Sequence, residues 1–167
     1  MAISGLVITY NEEKNIGKCI DALFEVCDEV IIVDSLSADN TVKIAEEKGA
    51  KVISQKFLGD GPQRTHGLPF CKNDWILNLD ADEFLDKDAK EFILKEKYLE
   101  GNYDAFSFRV KNFLADELID FSGWYPDHKV RFFNKKTAKP SEAKVHQKIE
   151  TTNEKKVAVH ILHYGWE

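Results

Sequence analysis

The chain has 167 residues, 43% of them hydrophobic and 11% aromatic, which suits one domain with a packed core and argues against a disordered chain. Its 23 Lys and Arg against 29 Asp and Glu give a net charge of −6, which argues against a general binder of nucleic acid or anionic membranes, since either needs a basic footprint. No apolar run approaches the roughly 20 residues of a membrane span and no basic-then-apolar leader opens the sequence, while Cys19, Cys27 and Cys71 match no metal spacing and fit a reduced, cytoplasmic setting.

Ile3 to Thr9 is a near-continuous apolar run, as expected of a strand covered on both faces. Asn11, Glu12 and Glu13 read as a cap and two acids at the positive end of a helix, which Ile16, Ile20, Leu23, Phe24 and Cys27 continue at helical spacing. Glu29 to Asp34 is a second buried strand, followed by a helix opened near Asp39 and closed at Gly49. A third strand is predicted over Ala50 to Ser54, then a Gly/Pro-punctuated stretch from Gly59 to Pro69, then a fourth strand over Trp75 to Asp80. Strand, helix, strand in repetition gives a parallel sheet with right-handed crossovers. Residues 86 to 100 read as one charged surface helix ending at Gly101. Beyond it, the alternation in YDAFSFRVKNF and the short segments KVRFFN, KVHQKIE and KVAVHILHY predict a β-rich, antiparallel or mixed second half. The fold class is therefore α/β, mainly parallel and flanked by helices, with a strand-rich C-terminal half.

Functional groups in a parallel α/β sheet gather beyond the C-terminal ends of the strands. Those ends carry Thr9-Tyr10-Asn11-Glu12, Asp34-Ser35-Leu36-Ser37-Ala38-Asp39 and Asp80-Ala81-Asp82-Glu83. Carboxylates converging from three strands suit a divalent cation, or a donor such as a nucleobase or sugar hydroxyl. Asp80 and Asp82, two apart with the small Ala81 between them, are the sharpest pair; together with diphosphate oxygens they suit Mg²⁺ or Mn²⁺. Among 14 aspartates about one Asp-x-Asp pair is expected by chance, and Asp86-Lys87-Asp88 is a second one. That pair sits where a helix begins, so capping accounts for it. Asp34 has a competing role as a cap of its own turn through Ser35 or Ser37. Gln63 and Arg64, after Pro62, stand at an expected helix start, where backbone N–H groups and a guanidinium meet phosphate.

TYNEE at 9–13, VDSLSADNT at 33–41, GPQRTHG at 61–67 and LNLDADE at 77–83 resemble, in order and spacing, the family 2 inverting glycosyltransferases of GT-A fold. GWYPDHKVRFF (123–133), KVHQ (144–147) and ILHYG (161–165) extend the resemblance to the lipopolysaccharide-core glucosyltransferase-like branch. The resemblance implies a single GT-A-like domain over 1–167, with a nucleotide-sugar half at 1–85 and an acceptor-side half at 86–167. It also implies a nucleotide-diphosphate-sugar donor, UDP favoured, and a glycan or lipid-linked saccharide acceptor. Carried over residue by residue, Thr9, Tyr10 and Glu12 line the nucleotide pocket and Asp34 accepts from the base. Gln63 and Arg64 lie near the nucleotide or diphosphate, and Ala81 lies beside it. Asp80 contacts ribose or metal, Asp82 ligates the metal, and His146 or His163 completes its shell. The setting implied is cytoplasmic, leaving room for peripheral association with the inner membrane; oligomeric state is not readable.

Inversion requires a carboxylate base on the face opposite the leaving group; Asp127, in WYPDH, is the candidate, against a bland reading as a turn residue after Pro126. Many family members carry this base in a Glu-Asp pair, which this chain lacks. Trp124, Tyr125, Phe132 and Phe133 read either as a stacking floor for an acceptor sugar or as core. The sequence ends at Glu167, soon after ILHYG, where relatives usually continue with helices, so it reads as a shortened chain or as a short member with an open acceptor site. Two alternatives compete: a non-catalytic nucleotide-sugar-binding module, and a phosphohydrolase using the Asp-x-Asp pair.

Overall fold

The computed structural model describes residues 2–114, 117–119, 127–145 and 147–165. The N-terminal half alternates as its apolar runs dictate: β1 (Ile3–Thr9), α1 (Ile16–Leu23), β2 (Glu29–Asp34), α2 (Thr41–Glu47), β3 (Lys51–Ser54), α3 (Asp60–Gly67) and β4 (Trp75–Asn78). The second half comprises β5 (Glu83–Leu85), α4 (Lys87–Leu94), β6 (Ala105–Leu114), β7 (Glu117–Ile119), β8 (Asp127–Asn134), β9 (Lys139–Pro140), β10 (Ile149–Glu150) and β11 (Glu154–Gly165). One nine-stranded sheet runs in the order β3-β2-β1-β4-β8-β6-β11-β5, with β7 paired to β6. Strands β1 to β4 pair in parallel, β8 is antiparallel to β4 and β6, and β11 is parallel to β6 and antiparallel to β5. The mixed second half is thus as the alternating sequence predicts.

Helix α1 buries Ile16, Cys19, Ile20 and Leu23 on β1 and β2, in one core with Phe106, Phe108, Phe132 and Ile161. Phe132 and Phe133 are both fully buried. Phe132 stacks on Trp75 at 5.1 Å and meets Tyr98 edge-on at 5.0 Å, so these rings are core rather than an acceptor floor; Trp124 and Tyr125 lie outside the described residues.

Several boundaries differ from the expected ones. α1 begins at Ile16, after a turn in which Ile16 N–H donates to Glu12 O. Asn11 takes a left-handed φ of 51° and accepts Ala38 N–H on its side chain, tying the β1 and β2 loops together rather than capping. The 86–100 helix ends at Leu94, with a further 3₁₀ turn at Lys97–Leu99, because Glu96 has φ 55°; Asp86 caps its start by accepting Ala89 N–H, as expected. The stretch 59–69 contains helix α3, and of KVHQKIE only Ile149 and Glu150 form a strand. No helix among the described residues is long and apolar enough to cross a membrane.

Candidate donor site

β4 is central, while β5, the next strand in sequence, lies at the far edge with β8, β6 and β11 between them. The Asp80–Asp82 segment makes this crossing. Asp82 O accepts Tyr164 N–H (3.0 Å) at the β11 side, and Glu83 N–H closes the turn on Asp80 O (3.0 Å). The two aspartates therefore sit in a turn beyond β4, and the turn, rather than strand alternation, aims both at one space.

That space is a cavity of about 660 Å³ lined by Ile8, Thr9, Tyr10, Glu12, Ser35, Lys56, Phe57, Asp60, Arg64, Asp80, Ala81 and Asp82. The ends of β1, β2 and β4 thus do converge, bringing together Thr9, Tyr10, Glu12, Arg64 and Asp80 to Asp82. Tyr10 and Phe57 are exposed at its rim. Burial pushes the Glu12 pKa up; the Asn15 side chain opposes this, and repulsion from Asp82, Asp80 and Asp39 adds to the rise. An excess of negative charge at one wall calls for a cation.

Arg64 brings a buried cation to the same lining. Its Nη2 donates to Asp60 Oδ1 (3.0 Å) and Asp80 Oδ1 (3.1 Å), while Nε and Nη1, buried with the residue only 4% exposed, have no hydrogen-bond partner among the described residues. A guanidinium in the lining of a cavity suits an anionic ligand. Burial alone would raise the Asp80 pKa, but Arg64 and Arg131 outweigh it and hold the carboxyl below its ordinary value.

His163 reaches the same turn from β11: its Nε2 lies 3.0 Å from Asp82 Oδ2 and its Nδ1 2.8 Å from Asn112 Oδ1. With the Asn112 amide so oriented, both neighbours are acceptors, and the hydrogen bond to Asp82, opposed by burial, raises the His163 pKa. His146 lies outside the described residues. Among the described residues no three His, Cys, Asp or Glu side chains are close enough to hold a metal ion on their own. Asp82 and His163, with Glu12 at the same wall, can supply only part of a shell, which suits a cation whose remaining ligands come from diphosphate oxygens.

Two sequence candidates stand behind the cavity. Asp34, 1% exposed, accepts Thr9 Oγ1–H (2.8 Å), Ser37 N–H (2.8 Å) and Ser37 Oγ–H (2.6 Å), so it caps its turn and braces β1. Gln63 is fully buried; it accepts Leu58 N–H (2.9 Å) and donates to Gln55 O (2.9 Å) and Ser35 Oγ (3.2 Å), bracketing the loop that presents Lys56 and Phe57. The backbone N–H groups here do not form the phosphate site expected from the sequence. The helix starts at Asp60, and the Asp60 and Gly61 N–H groups donate to Lys144 O (2.7 Å) and Ala143 O (2.9 Å), so they are not free. This seam requires glycine: a Cβ on Gly61 would lie 1.8 Å from Ser141 O. Gly61→Ala is expected to cost about 1–3 kcal/mol, read as a lowered urea midpoint with unchanged slope.

A second cavity, about 500 Å³, shares Asp60, Arg64 and Asp80 with the first and is otherwise lined by Asp127, His128, Lys129, Val130, Arg131, Gln147, Lys148, Ile149 and Glu154. Asp127, exposed at the start of β8, is on this side of the shared wall. His128 Nδ1 and Gln147 Oε1 are buried there without a hydrogen-bond partner among the described residues. Glu83, expected from sequence among the rim carboxylates, instead turns inward and forms with Arg131 a buried ion pair beneath the turn, which the sequence did not announce. The sequence reading also missed Asp60, Lys56 and Phe57. A signal for Arg131 was present, an arginine lodged directly before Phe132-Phe133 in an apolar strand.

The sequence model described as Glycosyl transferase family 2 matches residues 4–152. An uncharacterized glycosyltransferase of Rickettsia felis is 48% identical over 91 residues, covering 54% of this chain and 32% of that protein. The lipopolysaccharide core biosynthesis glycosyltransferase LpsC of Rhizobium meliloti is 36% identical over 98 residues, covering 56% and 36%. This chain thus spans about a third of the length of these curated relatives. Among solved structures, S. aureus TarS 1-349 in complex with UDP-GlcNAc superposes with TM-score 0.67 at 19% identity, covering 100% of this chain and 59% of that one. Glucosyl-3-phosphoglycerate synthase of Mycobacterium tuberculosis, in complex with Mn²⁺, UDP and glucosyl-3-phosphoglycerate, gives TM-score 0.50 at 28% identity, covering 68% and 44%. The fold is that of the GT-A neighbours, and the chain belongs to glycosyl transferase family 2.

Proposed function

We propose that the chain is the catalytic part of a metal-assisted inverting glycosyltransferase that takes a UDP-sugar and transfers the sugar to a glycan or lipid-linked saccharide. The observation that carries the reading is one cavity lined by the carboxylates of Glu12, Asp80 and Asp82 together with Arg64, a buried guanidinium bonded to Asp60 and Asp80. A nucleoside diphosphate bound to a divalent cation complements both the carboxylates and the guanidinium. Mn²⁺ and UDP in the synthase complex support the cation and nucleotide class, and LpsC supports a lipopolysaccharide-type acceptor.

In this reading Tyr10 and Phe57 flank the nucleobase, with Thr9, Asp34 and Gln63 holding the loops beneath it. Arg64 takes the diphosphate, Asp80 a ribose hydroxyl, and Asp82 with His163 the Mg²⁺ or Mn²⁺. Bound there, such a cation neutralises charge on the departing diphosphate. The acceptor occupies the second cavity, which His128, Lys129 and Gln147 line with polar side chains. Asp127 takes the proton from the attacking hydroxyl. Bond breaking builds oxocarbenium character on the sugar, which the acidic wall stabilises.

A thermal-shift screen of UDP-, dTDP- and GDP-sugars with Mn²⁺ tests this. A ligand at a hundred times its Kd stabilises by about 2.7 kcal/mol, so a UDP-sugar is expected to raise the melting temperature by several degrees. No shift with any of them would remove the reading. Metal-dependent binding without hydrolysis or transfer would favour a non-catalytic nucleotide-sugar module.

A further inference from the structure

We propose that Arg131 is a positioning residue that acts through Glu83 to fix the Asp80–Asp82 turn before donor and cation arrive. The inference rests on the reading of that turn as the donor and metal site. Arg131 is 7% and Glu83 2% exposed. Arg131 Nε donates to Glu83 Oε1 (2.9 Å) and Nη2 to Glu83 Oε2 (3.0 Å), a bidentate fork, and Nη2 also lies 3.8 Å from Asp80 Oδ2. Glu83 Oε1 in turn accepts the backbone N–H of Asp80 (2.9 Å). One guanidinium thereby bears on Asp80 twice, at its side chain directly and at its main chain through Glu83.

The backbone explains how an arginine comes to sit there. In the β6–β8 ladder Phe106 pairs with Phe132 and Ser107 with Val130, leaving Arg131 as the extra residue of a bulge. A bulge re-aims a side chain that regular pairing would send elsewhere. An apolar pair of the same volume would fill this space without taking two charges out of water, so the buried ion pair is a poor device for stability alone. What an apolar pair lacks is a carboxylate, held by the Arg131 fork, that accepts the Asp80 N–H. Lysine would keep the charge but present a single point of contact. Because Arg131 also lines the second cavity, it ties the β8 side of the site to the donor turn.

The test is the double variant Glu83→Leu/Arg131→Met, with melting temperature and Mn²⁺·UDP affinity measured by calorimetry and bound Mn²⁺ followed by paramagnetic resonance. Removing both charges together avoids stranding one of them, so the variant is expected to melt at or above the wild-type temperature. Its Mn²⁺·UDP affinity is expected to fall 10- to 100-fold, the range for partners that orient metal ligands, with a changed Mn²⁺ spectrum. Arg131→Lys should fold like wild type and lose about tenfold; should the double variant fail to fold, this variant decides. A folded variant, double or single, that binds Mn²⁺·UDP as wild type does overturns the proposal. A wild-type protein that binds no Mn²⁺·UDP removes the donor-site reading itself, and this inference with it, which is a distinguishable result.

Discussion

Asp82→Ala is expected to lower Mn²⁺-supported UDP affinity by at least about a hundredfold, equivalent to about 2.7 kcal/mol, while leaving the melting temperature close to wild type. The reason is the division of labour in the turn. Asp80 is already held by Arg64 and Arg131, whereas among the described residues the Asp82 side chain is hydrogen-bonded to His163 alone, a group that could itself face a cation. The turn is closed by main-chain bonds, Glu83 N–H to Asp80 O and Tyr164 N–H to Asp82 O, and these survive truncation of the side chain. Titrating the variant with UDP in Mn²⁺ by calorimetry reads the effect. Undiminished Mn²⁺-dependent affinity would contradict the ligand assignment.

Asp127→Asn should keep donor binding and lose transfer, by about 10²- to 10⁴-fold, the usual worth of a general base. The substitution is nearly isosteric and falls on an exposed carboxylate at the start of β8, so a folding defect is not expected. Three other carboxylates line the second cavity: Asp60, Asp80 and Glu154. Asp60 and Asp80 are bonded to Arg64, which leaves Glu154 as the rival. Single-turnover transfer rates for Asp127→Asn and Glu154→Gln, each at saturating donor, separate them. Normal turnover in the first with loss in the second would move the role to Glu154.

Much of the donor side was legible because buried parallel strands announce themselves as apolar runs, and the residues just beyond each run must sit at the sheet edge. That logic placed Thr9, Tyr10, Glu12, Asp80, Ala81 and Asp82 around one cavity. It had less hold on polar residues that work inward. Asp34 and Gln63 look from sequence like ligand contacts, yet their side chains close hydrogen bonds within the protein; chemistry alone does not say which way a carboxylate or amide turns. A helix start was legible at Pro62, but the extent of α3 was not, because DGPQRTHG has no apolar stripe. Its place is set by the tight seam of Gly61 against Ser141 and by Gly67, whose missing Cβ leaves room for Leu6 and Val33. The jump of β5 to the far sheet edge depends on pairing with a strand some eighty residues away (His163 with Glu83), a long-range choice that local pattern does not carry. For the same reason the link from Arg131 to Glu83 escaped the sequence.

The central claim is that an acidic turn and a buried arginine together hold a nucleoside diphosphate through a divalent cation. Its most direct test is calorimetric titration of the wild-type protein with UDP, once with Mn²⁺ and once with a chelator. Saturable 1:1 binding that weakens at least tenfold without the cation is the expected result. Equal affinity in both titrations, or no binding in either, would contradict it.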